Sequence, residues 1–431
     1  MSISASSGTW TVGDNWPWPR MYLLTRYTLA VAVDTTNLSL YEMTLVGGVI
    51  TATKVQVLGT LATIDSVHIA DFGPYYVVTV SKSTPPNVIY TRSPTAESEL
   101  EALEEPLWRL MPPSKTCCNY KNQLILGGIV SDDYKWSSLG SASVAWSAIG
   151  HTEFDPQNDP TAGFMPMPWS GIDGATIQKV MKLGKVVRVY GNFGVSDLVP
   201  TNNQHGVSFG KHDVVGYGSI AADTVDGDQF VQVFLNADYD LCLSTSEGVK
   251  VLGFRRHMEN LTGADTIIVY DRKARRFYIS DGVLSYVYNE HGMYSTNQCV
   301  TSIGRINGQL GGFIKDNSDS DIRVKTTETD FGVSGMKTVE AVESGVDYDV
   351  STSYAMKLAL SGNYTYRGDY ITLGYDKFNI RGIATKKMTA RDFKFLLKST
   401  FIAGSAFNLN SLKIKIKYSD KRNIRGRLRV T

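Results

Sequence analysis

Apolar and polar residues alternate in short runs along most of the chain, and the runs end at Gly, Asp, Asn or Pro. A period of two marks a half-buried strand, and the flanking residues mark turns. Residues 22–33 (YLLTRYTLAVAV), 38–45 and 49–57, with a turn at Gly47-Gly48, predict a three-stranded meander. Residues 67–69, 75–80 and 88–90 continue it, and residues 119–130 (NYKNQLILGGIV) predict a strand ending near Gly127-Gly128. Residues 176–190 divide at Leu183-Gly184 into two strands, followed by 216–222, 230–235 and 240–244. The clearest cycle is a strand at 266–270, a charged loop, a return strand at 276–280, the turn Asp281-Gly282 and a third strand at 283–288. Residues 300–303 and 310–314 start one more.

The stretch from Ser143 to Trp169 (SVAWSAIGHTEFDPQNDPTAGFMPMPW) condenses this pattern. A strand through Val144 and Trp146 breaks at Gly150. A polar loop with Asp155-Pro156 and Asp159-Pro160 follows, and the chain lands on Phe164, Met165, Met167 and Trp169. We read it as the passage from one small sheet into the next. Such groups recur about every 35–50 residues, the spacing of propeller blades. They share a pattern and not an identity, and no WD or kelch signature is present. The expected fold is all-β. A polar N-terminal arm (residues 1–21) carries Trp16-Pro17-Trp18-Pro19, a β-propeller of six or seven irregular blades spans 22–331, and a C-terminal β-sandwich-like domain spans 332–431. One short helical insertion interrupts the strands. Pro94 can open a helix, Leu100, Leu103 and Leu107 share a face, and Pro106 ends or kinks it. Five Glu lie from Glu97 to Glu105.

Composition agrees with this: 431 residues suffice for a large core or two to three smaller ones, and 39 Gly and 23 Tyr suit strands and tight turns. Charge adds a direction. Of the 43 basic and 42 acidic residues, 14 and 2 lie from Arg381 onward, leaving 29 and 40 in residues 1–380. That asymmetry points to an interaction surface. In LKIKIKY, Lys413, Lys415 and Lys417 take one strand face and Ile414, Ile416 and Tyr418 the other. Lys421, Arg422, Arg425 and Arg427 extend the basic surface, and these seven residues are the candidate assembly surface. It has three readings: a solvated edge strand that discourages aggregation, a seam to an acidic partner, or a surface toward nucleic acid without sequence recognition. Cys117, Cys118, Cys242 and Cys299 fit no metal spacing and read as reduced, buried thiols. No signal peptide and no apolar run of about 18 residues is visible, so no stable membrane insertion is expected.

Candidate chemistry is thin, and no cofactor is expected. Gly206-Val207-Ser208-Phe209-Gly210 matches the nucleophile elbow, yet its neighbours 201–204 and 211–213 read as loop where strand and helix are required. Gly216-Tyr217-Gly218-Ser219-Ile220-Ala221 matches a dinucleotide fingerprint without a βαβ unit. The six His (His68, His151, His205, His212, His257 and His291) lack metal spacing. The carboxylates of residues 316–321 and of Asp155 and Asp159 suit a solvated turn better than Ca²⁺.

Residues 144–156 (VAWSAIGHTEFDP), GFMPMPW, KLGKVVRVYGNFGVSDLVP, ARRFYISDGVLSYVYN and IKYSDKRNIRG together resemble the β-propeller tail proteins of tailed bacteriophages, the tail nozzle or hub proteins of short-tailed phages. The resemblance implies a structural virion protein of the tail, assembled in the host cytoplasm, without enzymatic activity. It implies a homohexameric ring around the DNA channel that meets an adaptor or other tail proteins, with viral DNA passing through unread during genome delivery. The alternative is a carbohydrate-binding or -cleaving phage spike, with Trp136, Trp146 and Trp169 stacking on sugars.

Overall fold

A computed structural model describes residues 3–5, 8–10, 16–46, 49–73, 75–83, 88–92, 101–102, 111–130, 139–203, 206–296, 298–306, 309–316, 321–325, 331, 336–346, 355–363, 370–377, 383–385, 387–400 and 409–418. Nearly all of the regular structure among them is β. The chain forms two compact units, residues 1–293 with 298–315, and residues 294–297 with 316–431.

Among the described residues of the first unit the strands form seven successive sheets. The strands at their inner edges are Arg20–Leu23, Ile64–Phe72, Ser114–Tyr120, Ile177–Leu183, Val225–Gly227, Ile267–Asp271 and Gln298–Ile306. Each of these touches the next. Tyr22 Oη donates to Val67 O (2.9 Å), Asn119 Nδ2 to Asp71 O (2.6 Å) and Val180 N to Thr116 Oγ1 (3.3 Å). Lys179 Nζ donates to Val225 O (2.6 Å), and Tyr270 N to Asp226 Oδ2 (2.7 Å). Ile267 and Val269 pack with Val300, and Thr301 Oγ1 returns to Pro19 O (2.5 Å). The seventh sheet thus meets the first, and the inner strands form a closed ring. This is a β-propeller at the upper of the two expected blade numbers.

Stacking of neighbouring sheets explains the apolar runs. The strand Gln123–Ile129 is buried at every position, and Val186–Gly191 at all but its first. A strand with sheets on both sides has no solvent face, so alternation gives way to continuous apolar sequence. The largest polar side chain buried between the sheets, Arg188, is paired. Arg188 donates from Nε and Nη2 to the two oxygens of Asp197, each at 2.8 Å, and from Nη1 to Ser244 Oγ at 2.7 Å, tying the fourth sheet to the fifth. Trp16 and Trp18 tie the arm to the ring: Trp18 is buried with Leu29 and Val31, and Trp16 Nε1 donates to Asp265 O at 2.8 Å.

Three local expectations change. Residues 119–130 hold the expected strand, Gln123–Ile129, but it starts later than the stretch: Lys121 and Asn122 adopt φ of 49° and 61°, and the chain reverses there after Ser114–Tyr120. Asn adopts that left-handed turn more readily than most residues, and this was the missed signal. Ser143–Trp146 and Gly163–Pro166 pair with each other in the third sheet, so the passage to the fourth comes later, through the turn Pro168–Gly171. Of the expected helical insertion, Glu101–Ala102 is a short strand paired with Thr91 and Tyr90, and residues 93–100 and 103–110 lie outside the described residues.

Among its described residues the second unit holds two sheets. One runs through Asp321–Lys325, Asp392–Thr400, Ala355–Asn363 and Tyr370–Thr372, and the other is centred on Lys337–Val346. Val339 and Val342 from one share a core with Leu358, Leu360, Phe393 and Phe395 from the other. Two sheets with a common apolar filling make a sandwich.

Candidate functional site

The basic strand lies in the second unit as expected. Leu409–Tyr418 pairs antiparallel with Lys337–Val346, with Lys413 opposite Glu343 and Ile416 opposite Val339. Lys413, Lys415 and Lys417 are exposed, while Ile414 and Ile416 are partly covered. Lys415 Nζ lies 3.4 Å from Glu340 Oε2. Lys421, Arg422, Arg425 and Arg427 lie outside the described residues.

The aromatic candidates divide differently. Trp146 and Trp169 are 3% and 8% exposed, packed in the core between the third and fourth sheets. Trp169 occupies the space that side chains at Gly191 and Gly194 would need, and its Nε1 donates to Ser196 Oγ at 3.1 Å. They are core residues and offer no face to a sugar. Trp136 lies outside the described residues.

Ser208 sits within the strand Gly206–Val215, in register with Thr201 on Val195–Asn203. The flanks expected as loop, residues 201–203 and 211–213, are therefore strand. An extended hairpin strand holds Ser208 without the sharp strand-to-helix turn of an elbow. Gly218, from the dinucleotide match, is needed for close approach to the backbone of Gly191. Asp155 and Asp159 accept from the backbone amides of Gln157 (3.0 Å) and Thr161 (2.8 Å), as turn residues do. Among the described residues no three His, Cys, Asp or Glu cluster as a metal site. Cys117 and Cys242 are buried free thiols, and burial pushes both up to about 12.

The polar convergence that sequence reading missed is on the propeller axis. The inner strands leave a cavity of about 580 Å³, lined by Tyr22, His68, Asp71, Lys179, Asp226 and Arg272 among others. A narrower one of about 170 Å³ shares Tyr22, His68, Lys179 and Asp226 with it and extends to Arg20 and Asp223. Those four shared residues form the waist between the two. Beyond it, Arg20 grips Asp223 with both ends of its guanidinium, Nη2 to Oδ2 at 2.9 Å, and lies 4.8 Å over the Trp18 ring.

The waist is electrostatically tense. Burial pushes His68 down to about 3, helped by the charge of Lys179, so the imidazole is neutral at ordinary pH. Burial raises Asp226 above the usual carboxylate range against the pull of Lys179. Burial also acts upward on Asp223, but Arg20 reverses it and holds the carboxyl low. Two residues of this lining each carry a buried polar atom without a hydrogen-bond partner, His68 Nε2 and Asp71 Oδ1. Each such orphan costs about 1–3 kcal/mol unless something bonds to it. In the sequence these residues lie in or beside strands that read as structural, and only the polar interruptions of the inner strands, such as Lys179 in TIQKVMKL, mark them.

No family model and no curated protein matches the chain. Among solved structures, an exo-β-1,3-galactanase from Phanerochaete chrysosporium with β-1,3-galactotriose aligns over 96% of this chain and 99% of its own, at 8% identity and a TM-score of 0.30. The SapL1 lectin in complex with alpha methyl fucoside aligns over 70% and 88%, at 11% identity and 0.34. A RAG complex aligns over 59% and 85%, at 8% identity and 0.36. At these values none of the three bears on what this chain binds.

Proposed function

We propose that the chain is a structural protein of a bacteriophage tail, which assembles as a ring around the DNA channel and docks other tail proteins through its second unit. The single observation that carries the reading is the exposed row of Lys413, Lys415 and Lys417 on Leu409–Tyr418. Its apolar face anchors the strand while its charged face is offered outward. A basic row on one copy and an acidic surface on the next make a heterologous contact, which closes into a ring if the rotation allows. The resemblance noted in the sequence supports a tail position for that ring. Negative-stain images of the purified protein test it: six-fold rings with a central hole are expected, and particles that stay single at every concentration would sink it.

A second reading, a carbohydrate-recognising spike protein, is favoured by one observation. The axial cavity falls within the range of about 300–1,000 Å³ that suits small ligands. It presents fixed polar groups from inner strands of several sheets. The buried Trp146 and Trp169 supply no aromatic groove for such recognition.

A further inference from the structure

We propose that one end of the propeller, built by the turns that leave the inner strands, binds single-stranded nucleic acid without reading its sequence. The proposal concerns the first unit alone and does not depend on the tail reading. Four observations carry it.

First, these turns gather at one end of the axis and are bonded into an arc. Thr25 N donates to Asp71 Oδ2 (2.9 Å), Asn119 Nδ2 to Asp71 O, Tyr120 Oη to Lys185 O, and Gly184 N to Gln229 O (2.7 Å). Arg272 Nε lies 3.5 Å from Asp228 Oδ2. These contacts join the first six sheets around the mouth of the larger cavity, where Leu23, Asn119, Lys182, Asp228 and Arg272 are part of the lining.

Second, the arc is basic. Arg26, Lys121, Lys185, Arg272, Lys273 and Arg275 stand on the turns of the first, third, fourth and sixth sheets, and all of them are exposed. The carboxylates beside them are half-buried or buried and order the turns that carry the cations. Asp228 Oδ1 accepts from Phe230 N at 2.8 Å, and Asp271 Oδ1 from Lys273 N at 3.1 Å. At the other end of the axis the turns between second and third strands carry Asp238, Asp240 and Asp281 and, among the described residues, no Lys or Arg. The cations therefore mark one end and not the surface at large. The turns between third and fourth strands return to the basic end and expose Glu247 and Glu290, which confines the positive potential to the surroundings of the axis.

Third, two of the cations stand where the backbone disfavours them. Lys121 and Arg275 both adopt φ of 49°. Gly or Asn takes that conformation at lower cost. Turn formation therefore does not explain a long basic side chain at either tip.

Fourth, Phe230 is 65% exposed on the fifth turn, between the turns that carry Lys185 and Arg272. Asp228 fixes its amide, and Gly184 fixes the neighbouring Gln229. A fixed, exposed ring among cations is a stacking platform for an unpaired base, with the phosphates on the surrounding Lys and Arg. A duplex hides its base faces. Phe230 and Leu23 give a bilayer little apolar area to bury.

Fluorescence anisotropy of the full-length protein with a labelled oligodeoxythymidine of about 16 nucleotides tests this, beside a duplex of the same length. Co-sedimentation with vesicles of phosphatidylserine and phosphatidylcholine runs in parallel. The single strand is expected to bind more tightly than the duplex, and the vesicles not at all. The triple variant Lys121→Gln, Lys185→Gln, Arg275→Gln should reduce the slope of log affinity against log salt by about 2, because each phosphate contact on a single strand contributes about 0.7. Phe230→Ala should weaken the single strand about five- to hundredfold and leave the duplex and the salt slope unchanged. Thermal unfolding checks that the variants are folded, and the preference of the wild-type protein for the single strand stands without them. If neither nucleic acid binds at low salt, the inference falls, and six-fold rings in negative stain would still support the tail reading. If the duplex binds as tightly and Phe230→Ala changes nothing, the single-strand assignment is wrong. If binding survives the triple variant and is lost when Lys413, Lys415 and Lys417 are replaced by Glu, the nucleic acid lies on the second unit and the inference falls. Vesicle binding without nucleic-acid binding would make this end a membrane surface and overturn it as well.

Discussion

His68 is the residue at which burial and chemistry conflict most. Its folded value of about 3 lies below the unfolded value of 6.5, so the unfolded chain binds the extra proton between them. The contribution is therefore fully present above pH 6.5 and is lost as pH falls toward 3. Asp223, held low by Arg20, loses its own contribution only below the ordinary carboxylate range, while the raised Asp226 acts with opposite sign between about pH 4 and 6.5, so the histidine is read from the difference between wild type and variant. His68→Leu should flatten the pH dependence of stability there by about 3 kcal/mol, measured by urea unfolding at each pH. An unchanged slope would mean that His68 is not buried at the waist. Nothing in the sequence marks this residue: one His between Val67 and Ile69 reads as a strand residue. Its role depends on Lys179 and Asp223, which lie more than a hundred positions away.

At the scale of elements, much was legible. The cycle from Thr266 to Asn289 appears as Ile267–Asp271, Arg276–Ser280 and Ser285–Asn289, because turn residues and alternating apolar residues mark each boundary. The lysine row was legible for the same reason, since a period of two fixes which side chains share a face. The turn at Lys121-Asn122 and the hairpin around Ser208 were not, because polar strands next to turns carry no apolar alternation. Trp146 and Trp169 misled because a sugar-stacking Trp and a core Trp are the same letter, and only the facing glycines separate them. One prediction belongs here. Each exposed lysine pair is worth about 0–1 kcal/mol, so the row orients a contact more than it holds it. Replacing Lys413, Lys415 and Lys417 by Glu should shift the assembly midpoint, followed by analytical ultracentrifugation, to higher concentration without altering the thermal unfolding of the monomer. Wild-type assembly should weaken in the same sense near 1 M salt, where screening acts within about 3 Å. Assembly indifferent to both would remove the lysines from the contact.

For the whole molecule, the recurrence of strand groups reveals a propeller before any coordinates do, but not its closure. Closure depends on pairs that no local pattern encodes, such as Thr301 with Pro19 and Arg20 with Asp223. The second pair matters most, because it joins the first sheet to the fifth across 203 positions of sequence and sits below the cavity that the ring creates. A shared axis is what makes Arg20 and Asp223 neighbours at all. A double-mutant cycle with Arg20→Leu, Asp223→Leu and the double variant, read as unfolding free energies, tests that arrangement directly. The closed ring predicts a coupling of about 2 kcal/mol or more, since each single change leaves a buried charge unpaired. Additivity within about 0.5 kcal/mol would contradict it, and with it the axial cavity.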